Sequence, residues 1–459
     1  MDTIRMTDGQ HRRLAAHLYD GTGLEAVAVA LCGRGGHAAH QVFTLHDIVE
    51  IPHDESERSV TSVTWRTRRL REILARAARD NLAVLKMHSH PTGHRDFSSL
   101  DDASDADLFS SVVLKVPGTH LSAVMLPDGE VFARTMLGGR TVHRVERVAV
   151  IGDEIRLYGA CAEGGPRSEF DLRHRQAFGD HTADILAGMS IAVVGVSGTG
   201  SPVVEMLARL GVGRIVLIEF DVVEEKNLNR IWGSRRAHAE ARLNKALMMK
   251  RYVEGIGLGT VVEVVDTSID DPDAIAAVAT CDVAVGCMDT FEGRDVLNRV
   301  ATFYSMAYID IGVRLDADGA GGIASMSAGV HYLKPGGSSL RSRGVYTDED
   351  LRAEYLRRTD PAFYEDQVRR GYIRGAKVES PAVISINTAA AATAVNELLA
   401  RLHPYRTRPN ADFAVQKLLF SHGRTVTRPE GKPDDLLAPY VGRGDCVPML
   451  MLPRIGRAA

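Results

Sequence analysis

Apolar residues in the first third of the chain gather in short blocks. Residues 24–32 (LEAVAVALC) are a compact apolar run, which predicts a buried strand. In residues 67–80 (TRRLREILARAARD), Leu70, Ile73, Leu74 and Ala77 recur on one helical face. Residues 82–87 (LAVLKM) predict a second strand, and residues 121–126 and 130–134, split by Pro127-Asp128-Gly129, a hairpin.

From Ser190 the rhythm changes. A strand at 191–194 runs into a glycine-rich turn, an apolar helix at about 201–210 and a strand at 214–218. Helix 243–254, strand 260–265, helix 271–279, strand 282–286, helix 291–304 and strand 307–311 then alternate. Such alternation predicts an α/β fold with a parallel sheet covered on both faces. Residues 346–371 are charged and helix-like, a peripheral excursion, and 380–402 form an Ala-rich helix fit to pack across the sheet. The last forty residues are rich in Pro and Gly and are expected to be irregular. Gly164 to Pro166 punctuate the change of rhythm. The reading is a first domain over 1–145, a linker over 146–166 and a second domain over 167–459 that ends in the irregular tail.

At 459 residues there is room for two or three domains. Fifty-five Lys and Arg against fifty-nine Asp and Glu leave a net charge of -4, which argues against a nucleic-acid or anionic-membrane specialist. Five cysteines are too few, and odd in number, for a disulfide-stapled secreted protein. The start, MDTIRMTDGQHRRL, has no apolar signal core, and no apolar run reaches membrane-spanning length. The expectation is a cytoplasmic enzyme.

The segment HSHPTGHRDFSSLDD spells His-x-His, seven residues, Ser, two residues, Asp: His88, His90, Ser98 and Asp101. On a strand, positions 88 and 90 share a face, so their imidazoles can chelate one metal, with Asp101 as an oxygen ligand from the following helix. Three protein ligands with one open position are the arrangement of a catalytic zinc, which lowers the pKa of water from about 15.7 to about 7. A carboxylate must still move protons, and Ser98 is placed to hydrogen-bond a developing oxyanion. This spacing resembles the JAMM motif of the MPN/JAB metalloisopeptidases, which cleave ubiquitin and ubiquitin-like proteins from their conjugates. The resemblance covers about residues 1–145 and implies a cytidine-deaminase-like α/β domain. It makes Glu25 the proton shuttle. His37, His40 and His94 match no position in it and read as solvated.

The strand at 191–194 meets Gly195-Val196-Ser197-Gly198-Thr199-Gly200, with Ser197 where a dinucleotide motif has its middle glycine. Glycines here let the backbone approach phosphate at a helix N-terminus, and Glu219, at the end of the next strand, suits a ribose acceptor. To this point a dehydrogenase remains open. The run IEFDVVEEKNLNR, with Glu219, Asp221, Asn227 and Arg230, then resembles the ThiF/MoeB family, which shares its Rossmann-like fold with the ubiquitin-activating enzymes. Further matches follow the family's order: Arg175-Gln176 ahead of the first strand, Lys245 as the phosphate lysine, Asp289 as the magnesium ligand with Arg294 beyond it, and SPAVISINTAAAATAVNELL as the closing helix. The resemblance implies ATP and Mg²⁺ as cofactors, and a homodimer in which Arg175 reaches across to its partner's site. Adenylation gathers negative charge at the phosphates, for which Arg175, Arg230 and Lys245 supply cations.

The family's thiols are missing. There is no CxxC, and Ser339 and Ser342 stand where the Gly-x-Cys-Leu-x-Cys pattern would place cysteines. Cys32 and Cys281 read as buried, Cys287 as structural and Cys161 as a linker residue; Cys446, in a tail expected to be mobile, is the remaining candidate transfer thiol. The combined expectation is a zinc (iso)peptidase that trims or deconjugates a ubiquitin-like protein, fused to an enzyme that adenylates its C-terminal glycine. A conjugating enzyme or a sulfur donor would act next. Alternatives in the same chemistry are activation of a sulfur-carrier protein and adenylation of a peptide in natural-product synthesis.

Overall fold

A computed structural model describes every residue except 1, 38, 160–169, 171, 319–321, 371–382 and 456–459. Cys161 and the Gly164–Pro166 punctuation lie outside the described residues. The chain forms two compact units. The first is Met1–Glu163 with Thr302–Met306 and Pro439–Ala459, and the second is Gly164–Ala301 with Ala307–Ala438. The tail expected with the second domain thus belongs to the first unit.

The first unit contains β1 (Thr3–Thr7), α1 (Asp8–Leu18), β2 (Val27–His37), β3 (His40–Glu50), β4 (Ser56–Arg58), β5 (Val63–Trp65), α2 (Leu70–Asp80), β6 (Ala83–Ser89), α3 (Ser99–Val113), β7 (His120–Met125), β8 (Val131–Leu137), β9 (Arg140–Arg144), β10 (Arg147–Ile151) and β11 (Ile155–Gly159). Nine strands form one mixed sheet in the order β11-β10-β1-β3-β2-β6-β7-β8-β9, and β4 and β5 form a separate hairpin. The apolar run in β2 has a direct cause. Ala28, Ala30 and Cys32 enter one core cluster with Ile4, Leu14 and Leu85, while Val27, Val29 and Leu31 enter another with Ile73, Ala77 and Phe109. Successive side chains leave opposite faces and both faces are covered, so alternation disappears. The strand expected at 24–32 starts later, at Val27, and runs on to His37 because Gly33–His37 pair with β3. Helix α2 buries Leu70, Ile73 and Ala77 and stops at Asn81, whose φ of 53° ends the helix in a left-handed turn.

The second unit contains α4 (Leu172–Gly188), β12 (Ser190–Val194), α5 (Gly200–Arg209), β13 (Arg214–Ile218), α6 (Arg236–Glu240), α7 (Lys245–Ile256), β14 (Val261–Val265), α8 (Pro272–Ala279), β15 (Val283–Gly286), α9 (Phe291–Phe303, whose last two residues fall in the first unit), β16 (Ala307–Ala317), β17 (Ile323–Leu333), α10 (Asp348–Thr359), α11 (Pro361–Arg369), α12 (Ile384–Leu402), β18 (Val415–Leu419) and β19 (Arg424–Arg428). The sheet order is β14-β13-β12-β15-β16-β17-β18-β19. Strands β14 to β16 run parallel, as the alternation predicts, whereas β16 to β19 form an antiparallel meander. The meander departs from the sequence reading, and β19 lies in the segment expected to be irregular. Strand β12 lies between β13 and β15, so chain order reverses there, the switch point at which such sheets bind ligands beyond their carboxyl ends. Among the described residues no helix is long and apolar enough to cross a membrane.

Candidate functional site

The antiparallel pairing of β2 with β6 puts Val27 opposite His88. Ala26 N–H donates 2.9 Å to Ser89 Oγ, and Ser89 N–H donates 3.1 Å to the Ala26 carbonyl, so the pairing continues beyond the strand ends. Carried one residue further, it sets Glu25 opposite His90. Asp101 arrives from the first turn of α3, where Ser98 is the N-cap and closes a capping box. The Ser98 hydroxyl and backbone N–H donate 2.7 and 2.8 Å to Asp101 Oδ2, and Ser98 Oγ accepts from Asp101 N–H at 3.2 Å. Local capping chemistry therefore aims the carboxylate. The Ser98 proton, expected on an oxyanion, here lies on Asp101.

The imidazole Nε2 atoms of His88 and His90 stand 3.1 Å apart, with Asp101 Oδ1 2.9 Å from His88 Nε2 and Oδ2 3.5 Å from His90 Nε2. His90 Nδ1 donates 2.8 Å to the His94 carbonyl, which fixes its tautomer and leaves Nε2 with a lone pair toward the centre. His94 thus contributes its backbone, while its exposed ring stays solvated as read. Two facing ring nitrogens and a carboxylate, all buried, suit a divalent cation between them. Glu25 is 5% exposed, and burial pushes its carboxyl up to about 7, against the pull of His90.

Two supports were not legible as motifs. Arg58, on β4, donates from Nε to the Glu25 carbonyl at 2.7 Å, from Nη2 to the Leu24 carbonyl at 3.1 Å, and from both terminal nitrogens to Asp20. Ser59 accepts the Glu25 N–H at 2.8 Å, so the β4–β5 hairpin grips both sides of that residue's backbone. Behind the His88–His90–Asp101 cluster, Lys86 Nζ and Arg134 Nη2 each donate 2.7 Å to the fully buried Asp105, and Arg134 lies over the Phe97 ring at 3.9 Å. Lys86 is two residues before His88, and Asp105 one helical turn after Asp101, so the same pair of elements is tied a second time.

In the second unit the glycine turn follows β12. Gly195 has φ +89°, and a Cβ there would stand 3.0 Å from the Cys287 carbonyl, so a side chain is excluded on both counts. The turn closes on itself, because a Cβ at Gly200 would fall 1.9 Å from the Gly195 oxygen. Glu219 braces it: Val196 N–H and Asp221 N–H each donate 2.9 Å to its carboxylate. Burial raises that carboxyl above its ordinary range, partly offset by Lys245. In this structure Glu219 is a loop brace at the position expected for the ribose acceptor.

Lys245, at the first position of α7, has its N–H on the Asp221 carbonyl at 2.9 Å and its Nζ on Asp221 Oδ2 at 2.8 Å. Asn227 accepts Glu224 N–H at 3.0 Å through Oδ1, shaping the turn that carries Arg230. Arg230 donates to the Lys226 carbonyl at 2.8 Å, and its Cδ lies 3.1 Å from where a Cβ on Gly198 would stand. Asp289 is exposed just past β15, in the segment whose Cys287 touches Gly195. Arg294, next in the motif, pairs inward with buried Asp310 at 3.2 Å. Gly195, Gly198, Glu219, Asp221, Asn227, Arg230 and Lys245 are joined through these contacts. Arg175 instead pairs with Asp180 and Asp184 of its own helix, at 3.2 and 3.0 Å.

Of the thiols, Cys32 and Cys281 are fully buried, and burial raises the Cys287 thiol far above its usual range. Ser339 and Ser342 form a reciprocal turn: Ser339 N–H donates to Ser342 Oγ at 2.9 Å and Ser342 N–H to Ser339 Oγ at 3.0 Å. The Ser339 hydroxyl also donates to Asp434. Cys446, rather than lying in a mobile tail, is half-buried in the first unit, with Sγ 3.2 Å from the Pro448 carbonyl.

Comparison with known proteins finds relatives of both units. Residues 172–422 match the family model for the ThiF family, and residues 8–134 that for prokaryotic homologs of the JAB domain. SAMP-activating enzyme E1 of Haloferax volcanii is 34% identical over 120 residues, 26% of this chain and 43% of that protein. Ubiquitin-like modifier-activating enzyme 5 of Drosophila ananassae is 28% identical over 159 residues, 32% of this chain and 37% of that protein. The chain therefore spans less than half the length of these relatives. A crystal structure of E. coli MccB with MccA-N7isoASN has 18% identity and a TM-score of 0.46, over 59% of this chain and 74% of that one. With more than half of its residues inside the first match, the chain belongs to the ThiF family and carries, ahead of that domain, a prokaryotic homolog of the JAB domain.

Proposed function

We propose that this protein is a two-activity enzyme acting on the C-terminus of a ubiquitin-like protein: its first unit hydrolyses the bond after the terminal glycine, and its second unit adenylates the freed carboxylate with ATP. The observation that carries the reading is the pairing that sets Glu25 opposite His90, beside a donor set of His88, His90 and Asp101, on the same chain as a ThiF glycine turn.

His88, His90 and Asp101 would hold zinc, which supplies Lewis acidity for hydrolysis. Glu25, with its carboxyl near neutrality, accepts a proton from the attacking water and delivers it to the leaving amine. Ser98 keeps Asp101 aimed through the capping box. In the second unit a glycine carboxylate oxygen attacks the α-phosphorus of ATP, the bond to the β-phosphate breaks, and pyrophosphate leaves. The turn's backbone N–H groups, Arg230 and Lys245 offset the charge that gathers on the phosphates. Asp289, exposed beside the turn, would hold Mg²⁺, which supplies further positive charge. The functional form is a cytoplasmic homodimer, and a conjugating enzyme or a sulfur donor takes over the adenylate.

Purified protein should exchange pyrophosphate into ATP when given a ubiquitin-like protein with a free C-terminal glycine, and Lys245→Ala should abolish the exchange. Absence of exchange with every such partner would overturn the activating half. His88→Ala should abolish precursor cleavage; intact cleavage would overturn the peptidase half.

A second reading, direct use of the adenylate without a thioester, is favoured by one observation. The glycine turn's nearest described cysteine, Cys287, is packed under Gly195 and Gly200, and hydroxyls stand at 339 and 342. A sulfur-carrier protein or a modified peptide would then be the product, and mass spectrometry of the partner's C-terminus separates a thiocarboxylate from an isopeptide.

A further inference from the structure

The glycine turn of the second unit has a neighbour to which the sequence motifs assign no role. Asn387 lies in the first turn of α12 and is 4% exposed. Its backbone N–H donates 3.0 Å to the Val383 carbonyl. Its carboxamide, with two N–H donors and an acceptor oxygen, makes no hydrogen bond among the described residues. Neither amide atom is among the sealed, unpartnered polar atoms of the described residues, so the carboxamide is open to solvent and to a ligand group.

The side chain is directed at Gly198. Nδ2 lies 2.5 Å from where a Cβ on Gly198 would stand, and Arg230 Cδ is 3.1 Å from the same point. The absence of a side chain at Gly198 thus lets the Asn387 amide and the Arg230 stem pack side by side against the turn's backbone. Their surroundings are tied together: Trp232 Nε1 donates 3.3 Å to Thr388 Oγ1, and Trp232 N–H donates 3.0 Å to Ser201 Oγ at the start of α5. The first turn of the nineteen-residue α12 has no side-chain cap, and Val383 and Ile384 there are exposed. Two helix starts without side-chain caps, an arginine and an amide donor that bonds no described residue together suit an anion.

We infer that Asn387 is a further nucleotide-binding residue, donating from Nδ2 to an oxygen of the ATP phosphate chain as it passes Gly198. This rests on the reading of the turn as the ATP site. The test is equilibrium binding of Mg-ATP and of adenosine to the full chain, with thermal unfolding beside it, for wild type, Asn387→Ala, Asn387→Asp and Lys245→Ala. A hydrogen bond to a charged acceptor corresponds to roughly a 10- to 100-fold loss of ATP affinity in Asn387→Ala. A larger loss is expected in Asn387→Asp, which places a carboxylate against the phosphates. Adenosine affinity should hold within about twofold, and the melting temperature of Asn387→Ala should not fall, because no internal hydrogen bond is removed. Wild-type ATP affinity in Asn387→Ala, with loss in Lys245→Ala, would overturn this inference and leave the ATP site standing. Equal losses of ATP and adenosine with a lowered melting temperature would also overturn it, by showing a structural role. Wild-type protein that binds no ATP would overturn the reading of the site and the inference with it.

Discussion

Glu25 shows how a residue's chemistry depends on what holds its backbone. It precedes β2, outside regular structure, and its N–H and carbonyl are gripped by Ser59 and Arg58 of the hairpin. The Arg58 side chain is 7% exposed and satisfies two successive carbonyls and the Asp20 carboxylate. Under the proposed peptidase activity, Arg58→Ala is therefore expected to lower the turnover number by at least about tenfold, through loss of Glu25 positioning. Zinc content should stay at wild type, because no ligand is touched. Unchanged turnover, or zinc lost in parallel, would count against the positioning role. Ser98→Ala is expected to do the reverse. It removes an N-cap, at about 1 kcal/mol, and frees Asp101, so zinc affinity measured by competition with a chelator should fall before turnover at saturating zinc does. The clustering of His88, His90 and Asp101 was legible in the sequence because strand period and helix capping place all three within one short segment. Arg58 was not, since its partners are distant in the chain and no local pattern encodes a tertiary hydrogen bond, and Asn387, inside the closing-helix match, had no role assigned by it. Ser98 was legible as a member of the site, but its expected oxyanion role did not foresee that the cap itself engages the hydroxyl.

Elements with strong periodicity, such as α2, α7, α8 and α9, and the apolar strands β6, β12, β13 and β15, were readable because one burial pattern dominates each of them. Strands β17 to β19 were not, since their half-exposed positions carry Ser, Lys and Arg and do not form apolar runs. Strand β7 shows an element whose stability depends on a buried titratable group. His120 is fully buried against Phe109, accepts Val84 N–H at Nδ1 at 3.1 Å and donates from Nε2 to the Val116 carbonyl at 2.8 Å. Burial pulls its pKa down from 6.5 to about 4, and Arg34 opposes the charged form further. The native state therefore binds fewer protons than the unfolded state between those values, so stability rises with pH across that window. The contribution is complete above pH 6.5 and is lost as pH falls toward 4, by about 3 kcal/mol in all. Protonation at Nδ1 would also break the bond from Val84. Unfolding of His120→Gln should show a shallower loss of stability from pH 6.5 to 4 than wild type; parallel slopes would remove His120 from the account.

At the scale of the molecule, the tail was misread by composition. Its glycines suggested looseness, yet they permit a tight backbone match within the first unit. Gly442 has φ +68°, and a Cβ there would lie 1.9 Å from the Leu45 carbonyl. Gly33 N–H donates 3.2 Å to the Gly442 carbonyl, Asp445 N–H donates 2.7 Å to the Arg34 carbonyl, and the Tyr304 hydroxyl donates 2.5 Å to Asp445. Tyr440 stacks on Phe303 at 5.2 Å. The first unit is thus discontinuous in sequence and completed by Thr302–Met306, inside the ThiF match, and by residues that follow the whole match. These contacts also place Cys446 beside Arg34, near the far end of β2 from Glu25, roughly 25–30 Å along an extended strand. That separation removes the His88–His90–Asp101 cluster as a destination for its thiol. Gly442→Ala forces both a left-handed backbone and a clash, so a loss of about 1–3 kcal/mol is expected in the first unit. Hydrogen exchange should report it locally: the amides of Gly33 and Asp445 should lose protection, while those of β12 and β13 keep theirs and ATP affinity stays at wild type. If Gly33 stayed as protected as in wild type, the tail would be an ornament on the first unit and not part of its fold.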